Sequence, residues 1–385
     1  MTVSSFNQQV PYGHLSGFYA LYFALLGCIA PFWGLYLQAQ KFSAQDIGLL
    51  LALFSMVRIF APNMWAALNH RFPDPMRLVR LANILMLVCF GFIFFAQTLW
   101  QFAAVMIAYG FFWSAVLPQY EAITLRYLKD DIDSYSAVRV WGSVGFILVV
   151  LLLGFFFDWF SIIWLPVFMA VFMLCLVVNS FAIKSPQAHD EHIAAVQSIE
   201  WSFPVVSFLV VSLLLQIAHG PYYAFFSIYL EGLDYDKWLI GLLWCLGVVA
   251  EIFVFWKFSS LTKKITIYQL TILSLLVTAL RWVLTALFAD LLLVLLLCQL
   301  MHAFSFGVLH ATAVKYISHF FPAALQAKGQ ALYSGLGFGL GGAIGAWASG
   351  LGWQNAGGQM IFLFAAMVSV VAVAVCYIGL RKIRI

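Results

Sequence analysis

Eight ionisable side chains stand inside long apolar runs of this sequence: Arg58, Glu121, Arg139, His219, Glu251, Arg281, His302 and His310. A charge at that depth in lipid costs on the order of a few kcal/mol unless it is paired or hydrated, so each needs a reason. Glu121 and Arg139 flank the stretch PQYEAITLRYLKDDIDSYSAVR at 118–139, which leaves one apolar segment, makes a short polar turn and enters the next. Antiparallel helices there bring the carboxylate and the guanidinium together, either lining a wet cavity for a polar ligand or forming a structural ion pair. Glu251 is set among Val248, Val249, Ile252 and Phe253, a setting that suits a carboxyl to exchanging a proton near neutral pH, unless it only partners Arg281. His302 shares a helix face with Ser305 and reads as a proton relay or as an interhelical hydrogen bond. The combined chemistry is reversible protonation beside a binding site for a small molecule.

Aromatic residues cluster around two prolines. Trp33 and Tyr36 follow Pro31, and Tyr222 and Tyr223 follow Pro221. A proline inside a span frees a carbonyl and bends the helix, so these rings either line a pocket for a flat ligand or pack the bundle. Gly337, Gly339 and Gly342 match a dinucleotide fingerprint in form, but no strand precedes them, and small residues in an apolar helix serve close packing instead. The six cysteines are scattered singly through apolar segments. No metal motif, phosphate loop or nucleophile–base cluster stands out, so the expectation is no enzyme, no cofactor, no metal and no nucleic-acid partner.

The elements that must hold these groups follow from composition. Of 385 residues, 64% are hydrophobic and 9% charged, against about 25% charged in soluble domains. The chain reads as an all-α polytopic membrane protein with twelve transmembrane helices, near 14–39, 46–68, 76–96, 98–127, 136–157, 160–183, 204–230, 237–258, 265–288, 290–318, 327–350 and 358–381. The polar stretch 184–203 divides it into an N-terminal six-helix bundle at 1–183 and a C-terminal one at 204–385. Lys41 and Lys237 are the basic residues of the odd-numbered loops, and Arg58, Arg139 and Arg281 lie within spans. All other Lys and Arg residues fall in or beside the even-numbered loops and the termini, which places both termini and the linker in the cytoplasm.

The halves repeat. Tyr36-Leu37, followed after a gap by Ile47-Gly48-Leu49-Leu50, recurs as Tyr229-Leu230 and Ile240-Gly241-Leu242-Leu243. The same register sets Arg58-Ile59-Phe60 against Glu251-Ile252-Phe253. Two pseudo-symmetric bundles with a site at their interface are a transporter layout.

With these residues in view, the sequence resembles the phenylpropionate permease family of the major facilitator superfamily. The resemblance is carried by residues 138–144 (VRVWGSV), by 215–220 (LQIAHG) with Tyr222-Tyr223, by 246–251 (LGVVAE), and by His302 and His310. More distantly, Pro118, Glu121 and Arg139 resemble the sugar-binding acid and arginine of the lactose permease family. Glu251, Arg281 and His302 fall where that family has a sugar-contacting acid, an arginine and a coupling histidine. Ser305 replaces its proton-carrying glutamate and Gln299 a lysine, so coupling would fall to Glu121, Glu251 or His302. The superfamily's loop after the second helix is degenerate at Ala66, His70 and Pro73, although Arg71 and Arg77 remain.

The resemblance implies a proton-coupled symporter of the bacterial inner membrane, a monomer importing a small organic anion such as an aromatic carboxylate. Glu121, Arg139, Arg58, Trp33, Tyr36, Tyr222 and Tyr223 would bind substrate. Glu251, Arg281, His302 and Glu121 would couple protons. A sugar or nucleoside symporter is the alternative.

Overall fold

The structure is a computed structural model describing residues 10–69, 74–128, 132–185, 199–383 and 385. All regular structure among them is helical. The first nine spans are α1 (Tyr12–Ala39), α2 (Ala44–Asn69), α3 (Pro75–Gly91, extended by a tight turn to Phe95), α4 (Leu99–Leu128), α5 (Ile132–Trp159), α6 (Leu165–Ala182), α7 (Phe203–Glu231), α8 (Lys237–Thr262) and α9 (Ile267–Phe288). The tenth span consists of α10 (Leu292–His302), a π turn (Ala303–Val308) and α11 (Leu309–Phe320). Then come α12 (Gln326–Ser334), a second π turn (Gly335–Gly341) and α13 (Gly342–Leu380). From the linker expected at 184–203, residues 186–198 lie outside the described residues, as do His70, Arg71 and Pro73.

The boundaries agree with expectation to within a few residues because the ends carry their own signals. Ser43 and Asp46 cap α2 reciprocally, Asp46 N donating to Ser43 Oγ at 3.2 Å and Ser43 N to Asp46 Oδ2 at 3.1 Å. The Asp74 carboxylate accepts from the backbone of Met76 and Arg77 ahead of Pro75. Thr266 and Gln269 form a capping box on α9. The run from Ala323 to Leu380 holds 58 residues, or roughly 87 Å of straight helix, far more than one bilayer crossing of about 30 Å. It doubles back at Gly357, whose φ of 74° suits only glycine. Gly352 then meets Ile361, and Gly358 lies on the Trp353 ring. The chain therefore crosses twelve times.

In the N-terminal half α1 packs on α5 and α6, and α3 on α4 and α6; in the C-terminal half α13 packs on α7 and α9, and α8 on α10. The halves meet along three seams: α1 with α7, α2 with α13, and α5 with α8. Glycine makes these seams close. A Cβ on Gly48 would lie 2.7 Å from the Ala346 carbonyl, and one on Gly241, its counterpart in the repeat, 2.9 Å from that of Val150. At the end of the α5–α8 seam the Asp158 carboxylate accepts from the backbone N–H of Lys237 at 2.7 Å and of Trp238 at 3.2 Å. All these contacts close the face bearing the loop 40–43. Large apolar side chains such as Leu152, Phe155, Val178 and Leu293 point outward, a surface that only lipid suits.

Candidate functional site

The C-terminal half gathers five polar side chains from three spans at mid-depth. Arg281 on α9 donates from Nη1 to His302 Nδ1 at 2.7 Å and to Ser305 Oγ at 2.9 Å, and from Nη2 to Gln299 Oε1 at 3.4 Å. Glu251 on α8 bonds His302 from the other side, Oε1 to Nε2 at 2.7 Å. A guanidinium can only donate, so His302 Nδ1 must accept and the ring proton must sit on Nε2, donating to Glu251. His302 is therefore neutral while both bonds hold, and Glu251 is the member of the group free to gain or lose a proton. Tyr222 underlies the cluster: its hydroxyl donates to Gln299 Oε1 at 3.0 Å, and its ring centroid is 4.4 Å from Arg281 Cζ. Trp282 covers the guanidinium at the same distance, leaving Arg281 fully buried.

The N-terminal half holds two in-membrane guanidiniums, Arg58 and Arg139, in different settings. Arg139 Nε lies 3.7 Å from Glu121 Oε1, with side chains 31% and 34% exposed. Tyr135 donates its hydroxyl to Glu121 at 3.4 Å, and Phe23 stacks 4.1 Å from Arg139 Cζ. Arg58, halfway along α2, instead faces rings, with Trp113 at 5.2 Å and Phe54 at 5.5 Å from its Cζ. No carboxylate among the described residues lies within ion-pair distance of it.

These groups share a central space. Tyr22 lies within electrostatic reach of Arg58, Glu121 and Arg139. Tyr223, from the opposite half, reaches both Arg58 and Glu251. Tyr223 keeps 37% of its surface open, between the charged groups of the two halves. Trp33 and Tyr36 are not brought there. They pack behind Phe54 and Tyr109 near the 40–43 end, where Trp33 meets Phe90 at 6.1 Å and Tyr36 meets Phe102 at 6.4 Å.

Comparison with known proteins gives this chamber its context. The model of the MFS_1 like family matches residues 12–364. The chain belongs to that family, within the major facilitator superfamily. It is 30% identical over 316 residues to the "Probable 3-phenylpropionic acid transporter" of Escherichia coli (strain K12), covering 78% of this chain and 80% of that one. It is 26% identical over 384 residues to the "Maltose permease" of Geobacillus stearothermophilus, covering 95% and 94%. Among solved structures, the nucleoside transporter NupG (D323A mutant) superposes with a TM-score of 0.86 at 16% identity, over 96% of this chain and 100% of that one. The protein is thus a transporter of the major facilitator fold, built to move small molecules across a membrane.

For this facilitator, sequence reasoning missed Trp113, Phe54 and Tyr135. Phe54 and Tyr135 each stand four residues before an in-membrane arginine, one helical turn away on the same face, which is the signal that could have found them. The alternative of Glu251 pairing with Arg281 is met only indirectly, through His302.

Proposed function

We propose that this protein is a proton-coupled symporter of the bacterial inner membrane, acting as a monomer with both termini in the cytoplasm and importing a small aromatic carboxylate. One observation carries the reading: Arg58 is a mid-membrane guanidinium set against two mutually stacked rings, with no carboxylate of its own among the described residues. Such a group lacks only an anion, and charge-assisted, bidentate hydrogen bonds to a substrate carboxylate supply it. The rings of Trp113, Phe54 and Tyr223 suit the flat part of the same molecule. The name borne by the E. coli relative supports the choice of 3-phenylpropionate as the first compound to test.

Coupling follows from Glu251. While Glu251 is ionised, its bond to His302 is charge-assisted and holds the α8–α10 contact. A proton neutralises it, weakens that bond and lets the loaded halves rock against each other. Arg281 supports this step by fixing the His302 tautomer, and Glu121 and Arg139 line the way to the face bearing the termini.

Accumulation of radiolabelled 3-phenylpropionate in proteoliposomes with an acidic exterior tests the reading. Net uptake should follow the imposed pH gradient and collapse with a protonophore, and uptake insensitive to the gradient would sink it. A second reading, a sugar or nucleoside symporter, is favoured by the part-exposed Glu121–Arg139–Tyr135 group, which offers both donors and acceptors to hydroxyls. Stronger inhibition by maltose or a nucleoside than by the aromatic acid would select it.

A further inference from the structure

His310 has no part in the scheme above. His310 stacks on Phe306 with centroids 6.0 Å apart and planes at 4°, and Phe306 stacks on His302 at 5.6 Å and 11°. Two imidazoles thus stand in one column along the tenth span, eight residues apart in sequence and about 12 Å apart along the helix axis. The Nδ1 atom of His310 lies 3.1 Å from the Tyr333 hydroxyl on α12. Between the imidazoles, in the π turn, Gly307 offers only bare backbone to Glu251: a Cβ there would sit 3.5 Å from Glu251 Cγ. A π turn widens the helix by one residue, and such turns concentrate at working sites. The α8 helix and the tenth span run in the same direction, so His302 lies on the 40–43 side of Glu251 and His310 on the side of the termini. Glu251 bonds the first at 2.7 Å and is within electrostatic reach of the second.

We propose that His310 is the proton station between Glu251 and the face bearing the termini, reached when the Glu251 carboxyl swings across Gly307 from one imidazole to the other. The proposal rests on Glu251 being the proton carrier. A neutral Glu251 loses its charge-assisted bond to His302 and has no side chain at 307 in its path. At His310 the carboxylic O–H breaks and an N–H forms at Nε2, leaving a carboxylate beside an imidazolium. The neutral ring keeps its proton on Nδ1, donating to the Tyr333 hydroxyl throughout, so Nε2 is the bare nitrogen that accepts. The imidazolium gives its Nε2 proton to water on the side of the termini, and Glu251 returns to His302. The other titratable or charged groups facing this path among the described residues are Arg281 from α9, His302 from the tenth span, His219, Tyr222 and Tyr223 from α7, and Tyr333 from α12.

Infrared difference spectroscopy after a pH jump on the purified protein tests this without a substrate. The Glu251 carboxyl band is assigned by its loss in Glu251→Gln. In His310→Gln its proton exchange should slow by about 100-fold while the band still titrates. Gly307→Val keeps His310 but fills the gap, and should slow exchange likewise. An unchanged rate in His310→Gln overturns the station and leaves Glu251 standing as carrier. A Glu251 band that fails to titrate near neutral pH in the unsubstituted protein overturns the carrier, and the station with it.

Discussion

Arg58 and Arg281 are in-membrane arginines in opposite halves, and their surroundings differ in kind. Arg281 is fully buried and both its Nη nitrogens are spent on protein: His302, Ser305 and Gln299. Arg58 is half-buried and lies against the rings of Phe54 and Trp113, with no ion-pair partner among the described residues. A guanidinium whose Nη nitrogens are bonded to protein organises its neighbours, and Arg281 does so by dictating which nitrogen of His302 carries the proton. A guanidinium with its donors unspent is available to an anion that arrives from outside. The repeat sharpens the contrast, since the position equivalent to Arg58 in the second half is Glu251: one half presents a fixed positive charge where the other presents a group that can lose its charge.

The largest effect should come from breaking the internal side of this contrast. Arg281→Met leaves Glu251 without the arginine that balances it, and removing one partner of a buried charge network costs about 3–5 kcal/mol. Thermal melting in detergent should show a clear loss of stability, and pH-driven accumulation should vanish. A variant that melts like the parent would mean the network is not the internal brace described here. Arg58→Met should do the opposite. Melting should hardly move, while the KM for the aromatic acid rises by about 10- to 100-fold, the equivalent of one charge-assisted hydrogen bond of roughly 1.5–3 kcal/mol. If KM and kcat are both unchanged, Arg58 is not the carboxylate receptor.

Glu251→Gln tests the remaining corner. A glutamine can still accept from His302 Nε2 but cannot carry a proton, so exchange of labelled for unlabelled substrate across the membrane should persist while uphill uptake is lost. The sign matters: uptake by the parent protein should rise as the outer pH falls, because the proton enters with the substrate, and in Glu251→Gln this dependence should flatten. A retained pH dependence would move the proton to Glu121.

The lengths of the spans were legible because they depend on a local fact, apolar runs long enough for lipid. The glycines at 48 and 241 were visible as a repeat, although not as the contacts that seal the seams. What could not be read was which charges find partners. That Glu251 meets His302 rather than Arg281 depends on the packing of α8 against α10, and that Arg58 meets no carboxylate depends on every helix around it. Trp113 was hidden by plenty, one ring in a chain that is 18% aromatic. The π turn at Ala303–Val308 was also invisible, since one extra residue in a turn leaves no mark on an apolar sequence, and it decides where Gly307 stands relative to Glu251.

The two halves also differ at the seam, where the smaller effects lie. Gly48→Val places carbon atoms where the Ala346 carbonyl already stands, so the halves should fail to close on the 40–43 face. A cysteine at Leu35, which lines the cleft between α1, α5 and the start of α8, should then react faster with a membrane-impermeant maleimide. Asp158→Ala should push the same way but more gently. The carboxylate of Asp158, on α5, satisfies the first N–H groups of α8, so it caps a helix in the other half and does so only while this face is closed. Loss of a side-chain cap costs about 1 kcal/mol, or about a fivefold shift of population toward the state open on this side. Maleimide labelling at Leu35→Cys should accelerate by about that factor in Asp158→Ala and stay nearly unchanged in Lys237→Ala, whose side chain pairs with Glu231 in its own half. Equal acceleration in both would show that loose loop packing, and not the cap across the seam, holds the halves together.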